Sequence, residues 1–467
     1  MTAPVPSEVT AAILAAVTRT RFEDLPAATV RHAKQRITDI VGCVIGGADT
    51  AGSPELRSLL VARGGRPGAT VLPGGERLPT APAAFANAIA ARGNDFGVLI
   101  PYIGTTPVWS HISESTVPAA LAMAESTGAS GRELITALVL GDDLAARLTA
   151  GATYVPGAGW DSPGLVNKFG VAAIAGRLLG LDELRLRDAF GIVLHQLGGT
   201  FQAIDAGAHT FKLAQGLAAR DGIEAAELAA HGWTGSPDPF FGPNGYIDMY
   251  CDGVDLDVLA DGLGAVFHGD ATFKPYPSCR FTHSAIDCAL EISARLREAG
   301  ADARQIGRIH LDVAPMHVDS PLDQPFAPGR NPQGHAIFSL RYAAASALLR
   351  GRAALAEYTE EAVGDPAVAA LADRVSITGG RPMATPEAAT LTVGLRDGTS
   401  LTASRDTATG NPLSSPLSAA RIEAKFRANW CFTGILEPAR ADDALELLGR
   451  LDEVDDLAEL TAILVRP

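Results

Sequence analysis

Alanine and leucine recur at helical spacing along most of the chain up to about Leu259. Apolar positions three and four residues apart are typical of helices that bury one face. The pattern predicts helices over Glu8–Thr18, Ala27–Ile45, Pro54–Ala62, Pro82–Ala91, Val117–Glu125, Glu133–Leu148, Gly170–Leu179, Glu183–Leu197 and Phe211–Ala230. Small residues such as Gly46 and Gly170 interrupt these segments and allow helices to approach closely.

The pattern changes near His268. Pro275 and Pro277 exclude a helix, and Ser278 is a suitable cap for a helix over Phe281–Leu296. Beyond it we expect strands over Gln305–Val313, Arg374–Thr378, Ala389–Leu395 and Thr399–Ser404, a helix over Ala336–Leu349, and a hairpin turn at Asp397 and Gly398. Helical spacing returns from Ala419 through Leu464. The prediction is a mainly α protein with α+β content, in which residues 1–267 are helical, 268–408 are mixed and 409–467 are helical again.

Composition narrows the functional classes. The chain has 467 residues, of which 47% are hydrophobic and 19% charged, so it can bury a large core. A net charge of −15 argues against nucleic acid or an anionic membrane as a partner. Five cysteines without a Cys-x-x-Cys pair favour a reducing compartment and imply no metal. Without a basic leader or a long apolar run, we expect a soluble, cytoplasmic protein.

Common catalytic motifs are absent from the sequence. It has no phosphate-binding P-loop, no zincin motif, no serine-hydrolase elbow and no glycine-rich dinucleotide motif after a strand. A cofactor-free enzyme that works by acid–base chemistry is the class that remains.

The segment Phe273–Asp287 concentrates candidate chemistry where a loop enters a helix. Its reactive or charged side chains are Lys274, Tyr276, Cys279, Arg280 and His283. A helix N-terminus attracts anions, so this segment is suited to an anionic ligand. His283 shares a helix face with Ile286 and points toward the core, where a hydrogen-bonded structural histidine is the alternative. Cys279 is interpreted as packing.

Four further residues are candidates, each with a structural alternative. Lys212 begins a helix on a face of small residues, but a lysine there can also extend its stem to solvent. His111 lies just before Ser113 and Ser115, either of which can cap the next helix; a structural histidine is the alternative. Asp95 and Asp161 lie in segments rich in turn formers, where a capping or turn role competes with a catalytic one.

Taken together, these segments resemble the MmgE/PrpD family, which includes 2-methylcitrate dehydratase, cis-aconitate decarboxylase and iminodisuccinate epimerase. The resemblance covers nearly the whole chain, in the order Arg36–Gly47, Ala86–Phe96, His111–Glu125, Lys168–Leu181, Lys212–Ala229, Phe273–Asp287, Ala336–Tyr342 and Gly410–Phe426. It implies a helical domain formed by both chain ends, an inserted α/β lid domain, a homodimer, and an active site in the cleft between them. It also implies catalysis without metal or organic cofactor on a small di- or tricarboxylate.

The resemblance assigns roles to the candidate residues. The residues expected to be catalytic are His111, Lys212, His283 and Asp95. The residues expected to bind substrate are Arg92, Lys274, Tyr276, Arg280 and Asp161. Lys274 and His283, on the lid side, are expected to meet Lys212 and His111 from the helical domain.

Three departures from the family pattern stand out. Arg92 and Asp161 replace histidines that the family commonly has, and Gly97-Val98 replaces an acidic pair after Asp95-Phe96. These changes put the usual substrates in question and leave three hypotheses. The first is a lyase that removes water or carbon dioxide, the second an isomerase or epimerase that returns a proton next to a carboxylate, and the third a carboxylate-binding homologue without catalysis.

Overall fold

The computed structural model of the chain describes residues 5–154 and 159–466. Within these ranges the chain forms 20 α-helices and several small sheets, and 56% of it is helical. The predicted class, mainly α with α+β content, is confirmed. None of the helices in the described ranges is long and apolar enough to span a bilayer.

Twelve helices precede residue 268 in the described part of the chain. They are α1 (Pro6–Arg19), α2 (Ala27–Gly46), α3 (Ser53–Arg63), α4 (Thr80–Arg92), α5 (Ser113–Thr127), α6 (Gly131–Gly151), α7 (Pro163–Leu178), α8 (Glu183–Val193), α9 (Gln202–Asp205), α10 (Leu213–Ala230), α11 (Tyr246–Tyr250) and α12 (Leu256–Ala260). Every segment predicted as helical in this part overlaps one of them, and the apolar repeat accounts for this because each buries a face in one of two hydrophobic clusters.

Close helix contacts use the small residues noted in the sequence. α7 packs against both α6 and α10. A Cβ added at Gly170 of α7 would lie 2.7 Å from the carbonyl oxygen of Gly141 in α6. The backbones cross at a distance that no larger residue permits, so the predicted close packing is confirmed there.

Eight helices and the largest sheet follow. The helices are α13 (His283–Glu298), α14 (Pro332–Ile337), α15 (Leu340–Arg350), α16 (Glu360–Val363), α17 (Pro366–Ala372), α18 (Ala419–Phe432), α19 (Arg440–Gly449) and α20 (Ala458–Ile463). In the described residues the strands are β1 (Ala69–Thr70), β2 (Arg77–Leu78), β3 (Leu99–Ile103), β4 (Thr106–Pro107), β5 (Ala152–Tyr154), β6 (Cys251–Val254), β7 (Ala271–Thr272), β8 (Ile306–Val313), β9 (Val375–Thr378), β10 (Ala389–Leu395) and β11 (Ser400–Arg405). The four predicted strands are present.

The largest sheet has the strand order β11-β10-β8-β9. β10 is antiparallel to β11 and to β8, whereas β8 and β9 are parallel. α13 packs on β10 and β11, and α15 packs on α13. Buried residues of these elements form one hydrophobic cluster, to which Phe211 also belongs.

Two local predictions in this part are wrong. α13 begins at His283 after a short 3₁₀ turn, Arg280–Thr282, and Ser278 does not cap it, because its hydroxyl pairs with Thr282 Oγ1 at 2.9 Å. The helix predicted over Ala336–Leu349 is two helices, since Ser339 accepts a hydrogen bond from the amide of Tyr342 and starts α15.

The C-terminal helices return to the N-terminal ones. α18 packs on α2, and Phe426 and Trp430 are fully buried in a cluster with residues of α2 and α6. Both ends of the chain therefore share a core. The domain boundaries at residues 268 and 409 stay a prediction.

Candidate active site

A cavity of about 600 Å³ lies where the part before residue 268 faces the part after it. From the first part its lining residues are Arg92, Asp95, Leu99, Trp109, Ser110, His111, Asp161, Ser162, Pro163, Phe201, Ile204 and Asp205. From the second part they are Cys279, Arg280, Phe281, Met316, His317, Ser320, Pro321, Leu322, Phe338, Met383 and Pro386. Concave sites of this size with a few polar groups are typical of small-molecule binding.

A small sheet brings the two parts together beneath the cavity. β3 lies between β4 and β7 and is antiparallel to both. Asp95 lies just before β3, and Lys274 lies just after β7. Because the strands are antiparallel, the end of β7 meets the start of β3, and this register places Lys274 beside Asp95.

Asp95 lies at the centre of the polar floor. It occupies a left-handed turn at φ 45° after α4 and is 1% exposed. The ammonium of Lys274, which is fully buried, donates to Asp95 Oδ1 at 2.6 Å and to its carbonyl oxygen at 2.8 Å. The Arg92 guanidinium also donates to Oδ1. Burial alone would raise the pKa of Asp95, but the Arg92 and Lys274 charges outweigh it and lower that pKa.

His111 and Glu114 complete the floor. Arg92 Nη1 lies 3.0 Å from His111 Nδ1 and 3.4 Å from Glu114 Oε2. The same histidine nitrogen lies 3.2 Å from Glu114 Oε2. Because an arginine nitrogen can only donate, a neutral ring is the form that can accept from Arg92. Burial, with the Arg92 and Lys274 charges, lowers the pKa of His111 well below its usual value, which agrees with a neutral ring.

The segment around His111 is held by α7. Asn167 donates to the His111 carbonyl oxygen at 2.7 Å and to Ser115 Oγ at 3.0 Å. α5 begins at Ser113, and its N-cap, Ile112, has no side-chain capping bond. The prediction that Ser113 or Ser115 caps this helix is therefore wrong, because both hydroxyls face other side chains.

Glu114 takes the space next to Gly97. A Cβ added at Gly97 would lie 2.5 Å from Glu114 Oε1. The carboxyl of Glu114 is fully buried, and burial raises its pKa even though Arg92 and Lys274 oppose the shift. A carboxyl group from α5 thus fills the volume that a larger side chain at residue 97 would need.

Asp95, His111 and Glu114 also resemble a metal ligand set. One ligand atom from each lies within 4.8 Å of the other two. Arg92 Nη1, however, contacts all three groups. The guanidinium occupies the position between them and supplies the positive charge that a metal ion would bring. In this arrangement the three residues do not fit an ion unless Arg92 moves away.

Asp161 faces the cavity from the entrance to α7. Its amide donates to the Gly199 carbonyl oxygen at 3.3 Å, and its own carbonyl accepts from Gly164 at 3.0 Å. Burial raises the pKa of the Asp161 carboxyl to about 6, with Arg92 opposing and Glu114 adding to the shift. The side chain therefore exchanges a proton near neutral pH.

Lys212 is not among the lining residues but lies near the floor, since its ammonium and the Arg92 guanidinium lie 5.7 and 5.6 Å from the centroid of the same Phe211 ring. The residue closes a 3₁₀ turn, His209–Lys212, just before α10. Its ammonium donates to Thr50 Oγ1 at 3.1 Å and to the Ala51 carbonyl oxygen at 2.8 Å, and it is 3% exposed. Burial lowers the pKa of Lys212 to about 8. The alternative that this side chain extends to solvent is wrong.

His283 and Tyr276 pack against each other below the cavity. Their rings are 5.2 Å apart, His283 Nε2 lies 3.1 Å from the Ser278 carbonyl oxygen, and Tyr276 donates to Asp287 at 2.6 Å. Burial, with the Arg280 and Lys274 charges, lowers the pKa of His283 well below its usual value. Its expected position toward the core is confirmed.

Arg280 lines the cavity but its charge is already balanced. Nε and Nη2 each donate to a carboxylate oxygen of Glu387 at 2.8 Å, and Nη1 donates to the Thr409 carbonyl oxygen at 2.7 Å. Cys279 lines the cavity as well, and burial raises the pKa of its thiol to about 11. The thiol therefore stays protonated at neutral pH.

The structure thus brings together part of the predicted set. Arg92, Asp95, His111, Asp161 and Lys274 form or border the floor, and Arg280 lines the wall. Within the described ranges Lys212, Tyr276 and His283 are not among the lining residues. Of the expected meeting, Lys274 and His111 both contact Asp95 Oδ1, whereas Lys212 and His283 contact other oxygens. The catalytic and binding roles assigned to these residues stay predictions.

Sequence reasoning missed Glu114 and the apolar wall of the cavity. Glu114 follows His111 by three residues, the spacing that places two side chains on one helix face. A carboxylate in a helix start of otherwise small, uncharged residues was the available signal. The wall has no such signal, because its members come from distant segments.

Two family models match most of the chain. Residues 11–259 match the family model of the MmgE/PrpD N-terminal domain, and residues 276–452 match that of the MmgE/PrpD C-terminal domain. The chain is 27% identical over 408 residues to the cis-aconitate decarboxylase of Mus musculus, covering 84% of this chain and 80% of the mouse protein. It is 28% identical over 406 residues to that of Homo sapiens, with the same coverage, and 24% identical over 313 residues to that of Aspergillus terreus, covering 62% of each. The two matched regions together span most of the sequence, and the chain belongs to the MmgE/PrpD family.

Proposed function

We propose that this protein is a lyase that acts on a small carboxylate, as a decarboxylase or a dehydratase. Family membership and the activity named for the relatives support this class. The observation that carries it is the pair His111 and Asp161, which face one cavity beside Arg92. Their pKa values are displaced in opposite directions, that of His111 downward and that of Asp161 upward. Such a pair provides a neutral base and a protonated acid under the same conditions.

Arg92 is the proposed anchor for the substrate carboxylate. Guanidinium and carboxylate match in shape, and a fixed cation stabilises negative charge that develops on the substrate. In the described part of the chain, the hydrogen bonds that Arg92 makes to side chains all come from Nη1. Nε is buried without a partner, so Nη2 is the donor that remains for a ligand.

Each lyase reaction has a defined proton path. In decarboxylation the bond to the carboxylate carbon breaks, carbon dioxide leaves, and the electron pair that stays on the substrate carbon accepts a proton from Asp161. In dehydration His111 removes a proton from the carbon next to the carboxylate, and Asp161 protonates the leaving hydroxyl group. Solvent then restores the Asp161 proton, because this side chain is only partly buried.

An isomerase is the second candidate. His111 and Asp161 reach the cavity from separate segments, before α5 and before α7. Two groups on different walls can remove a proton from one face of a carbon and return it on the other. This reaction needs no leaving group and uses the same residues.

Deuterated water separates these possibilities. The protein is incubated with a panel of mono-, di- and tricarboxylates, and products and exchange are followed by NMR. Carbon dioxide or a new alkene supports the lyase, and exchange without loss of mass supports the isomerase. Binding without exchange or product contradicts both and favours a carboxylate-binding homologue. The homodimer and the absence of a cofactor that the resemblance implies stay predictions.

A further inference from the structure

The cavity has an apolar wall in addition to its charged floor. Four large apolar side chains that line it remain substantially exposed: Trp109 at 40%, Phe201 at 45%, Met316 at 48% and Met383 at 57%. Apolar surface in a concave site is covered favourably only by an apolar group. The geometry points to a substrate that combines one carboxylate with an apolar substituent. This inference rests on the proposed function and narrows its substrate class.

The wall is built from both parts of the molecule. Trp109, from the segment before α5, stacks on Phe281 with ring centroids 5.2 Å apart. Phe281 in turn contacts the ring of His317 at 4.5 Å. His317 is 3% exposed, its Nε2 lies 2.8 Å from the Pro386 carbonyl oxygen, and burial lowers its pKa, so this row of rings is uncharged at neutral pH. An uncharged aromatic row favours an alkyl or aryl group.

The charge of the floor argues against a ligand with three carboxylates. The carboxyl groups at or directly below the floor are those of Asp95, Glu114 and Asp161, with the exposed Asp205 at the edge of the cavity, and the cations at the floor are Arg92 and Lys274. Among the described residues, both of these cations already face carboxylates, and Arg280 is paired in a two-pronged contact with Glu387. A trianion would add repulsion at the floor, and the ammonium of Lys212, which donates to Thr50 and Ala51 oxygens instead of a carboxylate, is not among the lining residues. A single carboxylate needs only the donor of Arg92 that remains, Nη2.

The size of the cavity is consistent with an additional substituent. Its volume of about 600 Å³ lies within the range of about 300–1,000 Å³ found for drug-sized ligands. A compact acid of a few carbons would leave the Trp109 and Met383 side chains uncovered.

Equilibrium binding with three probes tests the inference. Cinnamate has one carboxylate and a phenyl group, crotonate has the same unsaturated acid without the ring, and cis-aconitate has three carboxylates. Isothermal titration calorimetry is expected to show cinnamate binding at least about tenfold more tightly than either of the others. Equal or tighter binding of cis-aconitate overturns the inference, and so does the absence of cinnamate binding.

Substitutions in the apolar wall test whether this wall binds the phenyl ring of cinnamate. Trp109→Ala and Met383→Ala are each expected to weaken cinnamate binding about tenfold and to leave crotonate binding unchanged, since only the ring reaches the wall. Both side chains are exposed, so the variants should fold, and circular dichroism checks this. Trp233→Ala is the matched control, because Trp233 is 63% exposed and does not line the cavity. Cinnamate affinity that is unaltered in both wall variants overturns the inference.

Turnover and exchange in deuterated water, measured beside binding, distinguish a failure of the lyase proposal from a failure of the apolar subsite. Tight cinnamate binding in a protein that turns over no carboxylate supports the apolar subsite and contradicts the lyase. Turnover of cis-aconitate together with a preference for it over cinnamate supports the lyase and overturns the apolar subsite.

Discussion

Arg92 controls the charge balance at the cavity floor. One of its nitrogens contacts Asp95, His111 and Glu114, and the three groups respond differently. The pKa of Asp95 falls because burial is outweighed by Arg92 and Lys274, whereas burial dominates for Glu114 and raises its pKa. Arg92 together with Lys274 therefore keeps the Asp95 carboxyl ionised, and burial together with the same two charges keeps the His111 ring neutral.

Asp161→Asn tests the proposed general acid. An amide cannot donate the proton, so turnover is expected to fall about 10²–10⁴-fold. In the unmodified protein, burial raises the pKa of Asp161 to about 6, so the acid form predominates below that pH. Turnover that depends on this acid should decline as pH rises through about 6, and the variant should lose that decline. The measurement is kcat as a function of pH.

Asp205→Asn is the matched control for that experiment. Asp205 also lines the cavity but lies exposed at its edge. Its variant should keep the decline above pH 6 that the Asp161 carboxyl causes. A pH profile that is the same in Asp161→Asn and in the unmodified protein would rule out the assignment.

Gly97 and Glu114 are expected to be coupled. Gly97→Asp alone should destabilise the fold by about 1–3 kcal/mol, because its Cβ would meet the Glu114 carboxyl. In the double variant with Glu114→Ala, the new carboxylate enters the vacated space. The free energy of unfolding from urea titration should then fall by less than the sum of the single variants. If the effects of the two single substitutions on the free energy of unfolding add to within about 0.5 kcal/mol, the carboxylate introduced at residue 97 does not take the space that Glu114 leaves.

At the scale of elements, helical periodicity was the strongest signal. α2, α6 and α10 coincide with predicted segments to within a few residues because each buries one long apolar face. The errors lie where a single side chain decides the boundary. Ser339 divides the helix predicted over Ala336–Leu349, and the pairing of Ser278 with Thr282 delays α13. Such helix boundaries depend on local hydrogen bonds, which the spacing of apolar residues does not predict.

The crossing of α6 and α7 gives a prediction at this scale. Gly170→Ala is expected to lower the free energy of unfolding by about 1–3 kcal/mol, because the new methyl group would meet the backbone of Gly141. Gly449→Ala is the control, since it ends α19 with open space around it and should leave stability equal or slightly higher. Urea unfolding measures both. Equal effects of the two substitutions would contradict the close crossing.

At the scale of the whole molecule, the two chain ends close one core. Trp430 of α18 is fully buried beside Phe426, and its indole nitrogen donates to the Glu437 carbonyl oxygen at 3.0 Å. α18 in turn packs on α2. The last 50 residues or so, counted from Ala419, are therefore part of the N-terminal core.

Trp430→Ala tests whether α18 stabilises the core that it shares with α2. Loss of a fully buried tryptophan is expected to cost about 3–5 kcal/mol of unfolding free energy. Trp233→Ala, at a side chain that is 63% exposed, should change it little. Thermal and urea denaturation, followed by circular dichroism, compare the two variants. A cost for Trp430→Ala no larger than that of the control would show that α18 does not stabilise the core.

The sequence by itself determined the helical character of the two ends, the mixed segment between them, and the family, because these depend on local periodicity and on motifs that are contiguous in the chain. It also pointed to Arg92, Asp95, His111 and Lys274. Only the tertiary structure decided which of the candidates meet. The β3–β7 pairing places Lys274 on Asp95, and Arg92 then organises the floor. Lys212 and His283 are not among the residues that line the cavity, because nearby carbonyl oxygens hold their side-chain nitrogens. The apolar wall joins segments far apart in sequence, and such proximity exists only after the chain has folded.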